Sequence, residues 1–62
     1  MTEQYTIKLF PELGIWMTQW DDPRVIELTG SDVIPTPFLD TYPMSKVLDD
    51  LRERNPGYIV RV

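Results

Sequence analysis

The chain has 62 residues, of which 42% are hydrophobic and 26% charged, a composition typical of small globular proteins. It contains no histidine and no cysteine, which excludes disulfides, thiolate metal sites and histidine-based catalysis. Ten acidic residues against six basic ones give a net charge of -4, which repels nucleic-acid backbones and anionic membranes. We expect one small domain over residues 1–62, with a thin core and no deep active-site cleft.

The amino end of the chain bears on the compartment. Residues 1–4, Met-Thr-Glu-Gln, do not form a basic region followed by an apolar stretch, which a secretory signal requires. Apolar runs such as Val33-Ile34 are far shorter than the roughly 20 residues that cross a bilayer. We therefore expect a cytoplasmic protein with neither a membrane nor a nucleic acid as its partner.

The first half of the chain predicts three strands. Residues 5–9 alternate between apolar and polar side chains, as in a half-buried strand. Breakers at residues 11–14 predict a hairpin turn that leads into a second strand at residues 15–20. Aspartates and a proline at residues 21–23 predict another turn, and residues 24–29 a third strand. The buried face of the first strand is predicted to carry Tyr5, Ile7 and Leu9.

Prolines and one apolar stripe characterise the second half. Residues 34–38 contain two prolines, which predict an extended connector. A helix then follows, with Pro43 in its first position and Thr41 or Tyr42 as its cap. We expect a last strand at residues 58–62. The stripe of the helix consists of Met44, Val47, Leu48 and Leu51, and Asp50 and Arg54 are spaced for an ion pair.

The order of these elements is β-β-β-α-β, which predicts an α+β fold of two layers. In it, one helix packs on one face of a four-stranded, mostly antiparallel sheet. The helix returns the chain so that the last strand runs parallel to the first, and strand order 4-1-2-3 satisfies this connection.

The second strand carries large apolar groups on both faces, with Trp16 and Trp20 on one and Ile15 and Met17 on the other. If Trp20 pairs with the residue at position 25, both Trp rings lie on the open face. If it pairs with the residue at position 24, both lie under the helix and Ile15 and Met17 are outside. A slip of one residue exchanges the faces, so both arrangements stay open. In either one, the sheet has more apolar surface than one helix covers.

This excess of apolar surface favours a small acidic module without catalysis, acting through protein contacts. Its partner is either a second copy, bound through the open sheet face, or the larger assembly of which it is an accessory subunit. Trp and Arg are enriched at the centres of protein interfaces. The candidate partner-binding residues are therefore Trp16, Trp20, Lys8 and Arg61.

Catalytic and metal-binding patterns are not found. The paired acids Asp49-Asp50 point apart on a solvated helix face, and Asp21-Asp22, in a predicted turn, lacks the pattern of a calcium-binding loop. We assign no catalytic residue, metal ligand or cofactor. The alternative is a small-ligand binder or enzyme that uses Asp and Tyr groups near the proline-rich connector, with Phe38 and Tyr42 as ligand-binding residues. A second alternative, single-strand nucleic-acid binding, fits poorly with the acidic balance.

The layout of residues 34–38, Ile-Pro-Thr-Pro-Phe, and of residues 54–62, Arg-Asn-Pro-Gly-Tyr-Ile-Val-Arg-Val, resembles that of short proteins of cyanobacterial type. This resemblance extends over the whole chain and contains no catalytic motif. It implies a bacterial, cytosolic origin, and no activity, cofactor or site residue.

Overall fold

A four-stranded mixed sheet and two helices form the fold in the computed structural model, which describes residues 4–62. In chain order the elements are β1 (Thr6–Glu12), β2 (Ile15–Trp20), α1 (Pro23–Thr29), β3 (Val33–Leu39), α2 (Met44–Arg54) and β4 (Ile59–Arg61). The strand order is β3-β2-β1-β4, in which β2 is antiparallel to both its neighbours and β1 is parallel to β4. The α+β class is confirmed. The sequence predicted one helix, whereas the structure contains two among the described residues.

The additional helix is α1, in the segment that the sequence predicts as the third strand. The carboxylate of Asp22 accepts a hydrogen bond from the backbone N–H of Arg24, and Pro23 occupies the first turn. Gly30 ends the helix with a φ of 80°, and its N–H donates to the carbonyl of Ile26. An acidic cap, a proline at the start and a left-handed glycine at the end are typical helix boundaries. They outweigh the strand preference of the β-branched residues between them.

The third strand is instead the proline-rich segment, and β3 lies at an edge of the sheet. Proline is tolerated there because an edge strand leaves half of its amide positions unpaired. The pairing of β3 with β2 is irregular between Ile15 and Met17. At this irregularity the hydroxyl of Thr36 donates to the carbonyl of Trp16 at 2.8 Å and accepts from the N–H of Phe38. A side chain thus supplies hydrogen bonds near Pro37, which has no amide hydrogen.

The hairpin between β1 and β2 has a two-residue loop, Leu13-Gly14, shorter than the predicted turn. Both residues have positive φ angles, 54° and 81° respectively. Two central residues with positive φ form the tight turn that matches the twist of paired strands. Leucine is disfavoured in this conformation because its Cβ approaches the backbone. Leu13 is also 94% exposed, so no packing compensates for its conformation.

The core lies between one face of the sheet and α2. It consists of Ile7, Leu9, Trp16, Val47, Leu51 and Val60, with Trp20, Phe38, Leu48 and Tyr58 packed around them. Three residues of the predicted helical stripe, Val47, Leu48 and Leu51, therefore face the core, whereas Met44 is 42% exposed and lies outside it. The Asp50–Arg54 ion pair forms, with a distance of 3.0 Å. The helix begins at Met44, with Pro43 as a cap that makes no side-chain hydrogen bond, so the prediction of a Thr41 or Tyr42 cap was wrong.

Both Trp side chains lie on the face covered by α2. On β1, Ile7 is opposite Trp20 and Pro11 is opposite Trp16, so these residues share a face. Neither predicted pairing with residue 24 or 25 exists, because that segment is helical. The side chains nevertheless lie as in the second predicted arrangement: both Trp rings are under the helix, and Ile15 and Met17 are on the opposite face.

The buried position of Trp16, at 8% exposure, generates a prediction for stability. Truncation of a buried Trp to Ala costs about 3 to 5 kcal/mol, because a cavity replaces the ring. We expect Trp16→Ala to lower the free energy of unfolding by about this amount, measured by urea titration with far-ultraviolet circular dichroism. Leu28→Ala, at a site 86% exposed, is the control and leaves the midpoint unchanged. Equal midpoints for the two variants would contradict the placement of Trp16 in the core.

The conformation of Leu13 generates a second prediction. Asparagine adopts positive φ more readily than leucine and is preferred in two-residue hairpin loops. We expect Leu13→Asn to raise the free energy of unfolding by about 1 kcal/mol. Leu28→Asn, at an exposed helical site, is the matched exchange and stabilises nothing. A fall in the urea midpoint of Leu13→Asn would show that the leucine side chain itself stabilises the fold.

Candidate functional site

The sheet face opposite α2, which we call the open face, carries a cluster of apolar side chains. Phe10 and Met17 are directly opposite each other on β1 and β2 and are half-buried. Ile15 is opposite Leu39 on β3, and Leu39 is 63% exposed. We call Phe10, Ile15, Met17, Pro35 and Leu39 the open-face patch. An exposed group of apolar side chains of this kind is typical of an interaction surface.

The strand register arranges the open face in rows that run across the strands, three of them centred on Phe10 and a fourth, Thr6 and Ile59, beyond them at one end. The middle row is Phe10, Met17 and Pro35; on one side of it lie Glu12, Ile15 and Leu39, and on the other Lys8, Gln19 and Val33. Arg61 extends the last row, since it is opposite Lys8 on β4. The apolar centre therefore has two cations along one side and a carboxylate on the other.

These charges on the open face have no ionic partner among residues 4–62. The ion pairs of the described part of the chain are Asp22–Arg24, Asp49–Arg52 and Asp50–Arg54, all away from the rows. Lys8, Glu12 and Arg61 are all exposed. They are therefore free to meet opposite charges on another molecule.

A groove of about 480 Å³ lies at the other end of the open face, where α1 approaches the sheet. It is lined by Thr6, Lys8, Gln19, Trp20, Asp21, Ile26 and Asp32. One oxygen of Asp21 accepts a hydrogen bond from the N–H of Thr6 at 2.7 Å. Asp32 accepts a longer hydrogen bond, 3.4 Å, from the side-chain amide of Gln19. The groove thus combines one cation with two carboxylates that are already partly occupied.

A second polar cluster is centred on Asp22, which is 0% exposed. Its two oxygens accept hydrogen bonds from Nε and Nη2 of Arg24 at 3.1 and 2.9 Å. The hydroxyl of Tyr58 donates to the second oxygen, and the ring of Tyr58 meets that of Trp20 edge to face. Arg24 also lies 5.9 Å from the centre of the Tyr5 ring. The cluster connects α1 to the segment that enters β4.

The partners of Asp22 determine its ionisation. The hydrogen bonds from Arg24 and Tyr58 hold the pKa of the Asp22 carboxyl well below its usual range, against the opposing effect of burial. The same carboxylate raises the pKa of the Arg24 guanidinium and of the Tyr58 hydroxyl. At neutral pH the cluster is therefore a charged pair with a neutral tyrosine, and its oxygens are fully used. This arrangement stabilises the fold and leaves no proton acceptor free for catalysis.

The residues predicted to bind a partner are divided between the two faces. Trp16 and Trp20 lie on the α2 side, where their indole N–H groups donate to the carbonyl of Tyr42 and the hydroxyl of Thr18. Lys8 and Arg61 lie side by side on the open face. The structure thus brings the two cations together and separates them from the two Trp rings.

The residues predicted for a ligand, Phe38 and Tyr42, stack on each other with ring centres 5.0 Å apart. Neither of them lines the groove at α1. The open-face patch was only partly visible in the sequence. The presence of large apolar side chains on both faces of β2 indicated Ile15 and Met17. Phe10 and Leu39 lie beside them only because of the strand register.

Over residues 4–62, no group of three or more acidic side chains is placed to hold a metal ion. Neither helix in the described part is long and apolar enough to cross a membrane. No family model matches the chain, and searches of curated proteins and of solved structures found no match. The resemblance to proteins of cyanobacterial type therefore stays a prediction.

The low pKa of Asp22 generates a prediction for acid stability. Because the folded protein holds this proton less tightly than the unfolded chain, the stabilisation is complete above the usual carboxyl pKa of about 3.9. It is lost as the pH falls through that value towards the lower folded pKa. We expect Asp22→Asn to be less stable at neutral pH and to lose less stability between about pH 5 and about pH 2.

The measurement is the urea midpoint across that pH range. Asp49→Asn, at an exposed carboxylate of α2, is the control for the removal of one negative charge. If Asp22→Asn and the native chain lose stability in parallel, the Asp22 cluster does not control the acid response.

Proposed function

We propose that this protein is a non-catalytic interaction module that binds another protein through its open face. The observation that carries the proposal is the open-face patch, five apolar side chains on a sheet face that α2 does not cover. An apolar centre with charged residues at its margins is the usual anatomy of a protein interface. The occupant that fits is therefore a flat protein surface with an apolar centre.

The shape of the sheet supports a partner on the face rather than at an edge. Pro35 and Pro37 remove two backbone donors from β3, and β4 has only three residues. Prolines and short strands at an edge prevent pairing with the strand of another molecule. A partner protein therefore approaches the open face, where side chains and not backbone groups make the contact.

The absence of free catalytic groups in the described cluster also favours binding over catalysis. Asp22, the carboxylate with the strongest pKa shift, is buried and hydrogen-bonded to Arg24 and Tyr58. A carboxyl group that acts as a general acid or base needs an oxygen free to reach the substrate. Asp22 is thus a structural group.

Binding of a small ligand is the second candidate, supported by the groove between α1 and the sheet. Lys8 and the remaining carboxylate oxygens of Asp21 and Asp32 would suit a small molecule that carries both a negative and a positive group. This site lies at the opposite end of the open face from Ile15 and Leu39. A ligand in the groove would raise the melting temperature and leave the open-face patch exposed.

A prediction for Met17 tests the interaction surface. Met17→Asp places a charge at the centre of the open-face patch, where burial against a partner would be costly. We expect this variant to stay folded, because Met17 is only half-buried, and to lose at least tenfold in affinity for any bound protein. The measurement is sedimentation of the pure chain together with capture from a bacterial extract and titration of each purified partner.

Leu28→Asp is the matched control, since Leu28 is 86% exposed on α1 and outside the patch. Association that is lost with Met17→Asp and kept with Leu28→Asp supports the proposal. Association that survives Met17→Asp, or a chain that neither self-associates nor binds a purified protein, overturns it. Circular dichroism of both variants shows whether each is folded.

A further inference from the structure

We infer that the partner is a second copy of this chain, packed open face to open face about a two-fold axis that crosses the strands at the Phe10 row. This inference rests on the proposed function and specifies its partner. The three rows centred on Phe10 carry it: when a copy is rotated onto the first, Lys8 faces Glu12 and Val33 faces Leu39, while the polar Gln19 faces Ile15.

The geometry follows from the alternation along β1. Lys8, Phe10 and Glu12 point to the same face at intervals of two residues, about 7 Å apart. A two-fold axis across the strands through Phe10 exchanges the two ends of β1. Phe10 then meets Phe10 of the second copy, and Lys8 meets Glu12 of the second copy. The exchange occurs twice in the dimer, since a two-fold interface repeats each contact.

The neighbouring strands are compatible with the same axis. Met17 and Pro35 lie in the row of Phe10 and therefore meet their own counterparts. Val33, in the Lys8 row, meets Leu39 of the second copy, so that two apolar groups coincide. Arg61, next to Lys8, adds a second cation near Glu12 of the second copy. Stacked sheets lie about 10 Å apart, a distance that Lys and Glu side chains span together.

The small area of the face limits the apolar surface that a dimer can bury. Three strands about 20 Å long and the three-residue β4, about 10 Å long, lie at a spacing of about 4.8 Å and present a projected area of roughly 340 Å². The area that each copy contributes is therefore smaller than the roughly 800 Å² that each partner buries in an interface of standard size. We therefore expect a reversible dimer with a dissociation constant in the micromolar range or weaker. The net charge of -4 on each copy also opposes tighter association.

Charge reversal tests the axis directly. Lys8→Glu gives an open face with acids in both outer rows, and Glu12→Lys gives one with cations in both. Each variant alone brings like charges together twice, so we expect its dimer to be weakened about tenfold. A mixture of the two brings opposite charges together twice and associates at least as strongly as the native chain. Sedimentation velocity, with one variant fluorescently labelled, measures the association of each variant alone and of the mixture.

The matched controls are Lys46→Glu and Glu53→Lys, which make the same charge changes on exposed positions of α2. We expect both to dimerise as the native chain does, with no preference for each other. Preferential pairing of the Lys8 and Glu12 variants supports the inference. A native chain that remains monomeric up to near-millimolar concentration, or a dimer indifferent to these reversals, overturns it.

The outcomes also separate the inference from the proposed function. If Met17→Asp abolishes a dimer that ignores charge reversal, the open face is used with another axis, and only the inference fails. If the native chain is monomeric but a purified protein binds it and loses affinity with Met17→Asp, the second copy is the wrong partner and the interaction function stands. If neither association depends on Met17, both fail.

Discussion

The buried carboxylate of Asp22 connects parts of the chain that are distant in sequence. It caps α1, pairs with the guanidinium of Arg24 and accepts from the hydroxyl of Tyr58, which precedes β4. A buried charge is tolerated only when its oxygens are satisfied, so these three contacts have to form together. They place α1 at the end of the sheet, and Tyr58 and β4 next to β1. The rest of the fold is arranged around this junction.

The open face is a consequence of that arrangement. Once Asp22 holds α1 at the end of the sheet, α2 is the helix that covers the core, and its stripe fills one face. The seven residues of α1 include no buried side chain, and Ile26 reaches only the groove. A sheet of four strands with two short helices therefore retains an uncovered face. The apolar residues on that face are what distinguishes it from an ordinary solvated surface.

Local patterns in the sequence were sufficient for β1, β2, α2 and β4, because alternation and the helical stripe report directly which side chains are buried. They were insufficient for α1, since Val25, Ile26 and Thr29 favour strands and the deciding groups, Asp22 and Gly30, lie at the boundaries. The edge strand β3 was predicted as an extended connector because it contains two prolines. The prediction of which side of β2 faces the helix used a pairing of β2 with residues 24–29, and this pairing does not exist because those residues form α1. The contact of Asp22 with Tyr58 spans 36 residues, and no local pattern indicates it.

The two faces of β2 differ in a way that separates core from interaction surface. Trp16 and Trp20 carry N–H groups, and each finds an acceptor inside the protein. Trp20 donates to Thr18, whose hydroxyl donates in turn to the carbonyl of Ile34, so the α2 side is a completed hydrogen-bonding network. Ile15 and Met17, on the open face, have no polar atom that requires a fixed partner. Such side chains repack against a second surface without breaking any hydrogen bond, which makes reversible association compatible with a stable fold.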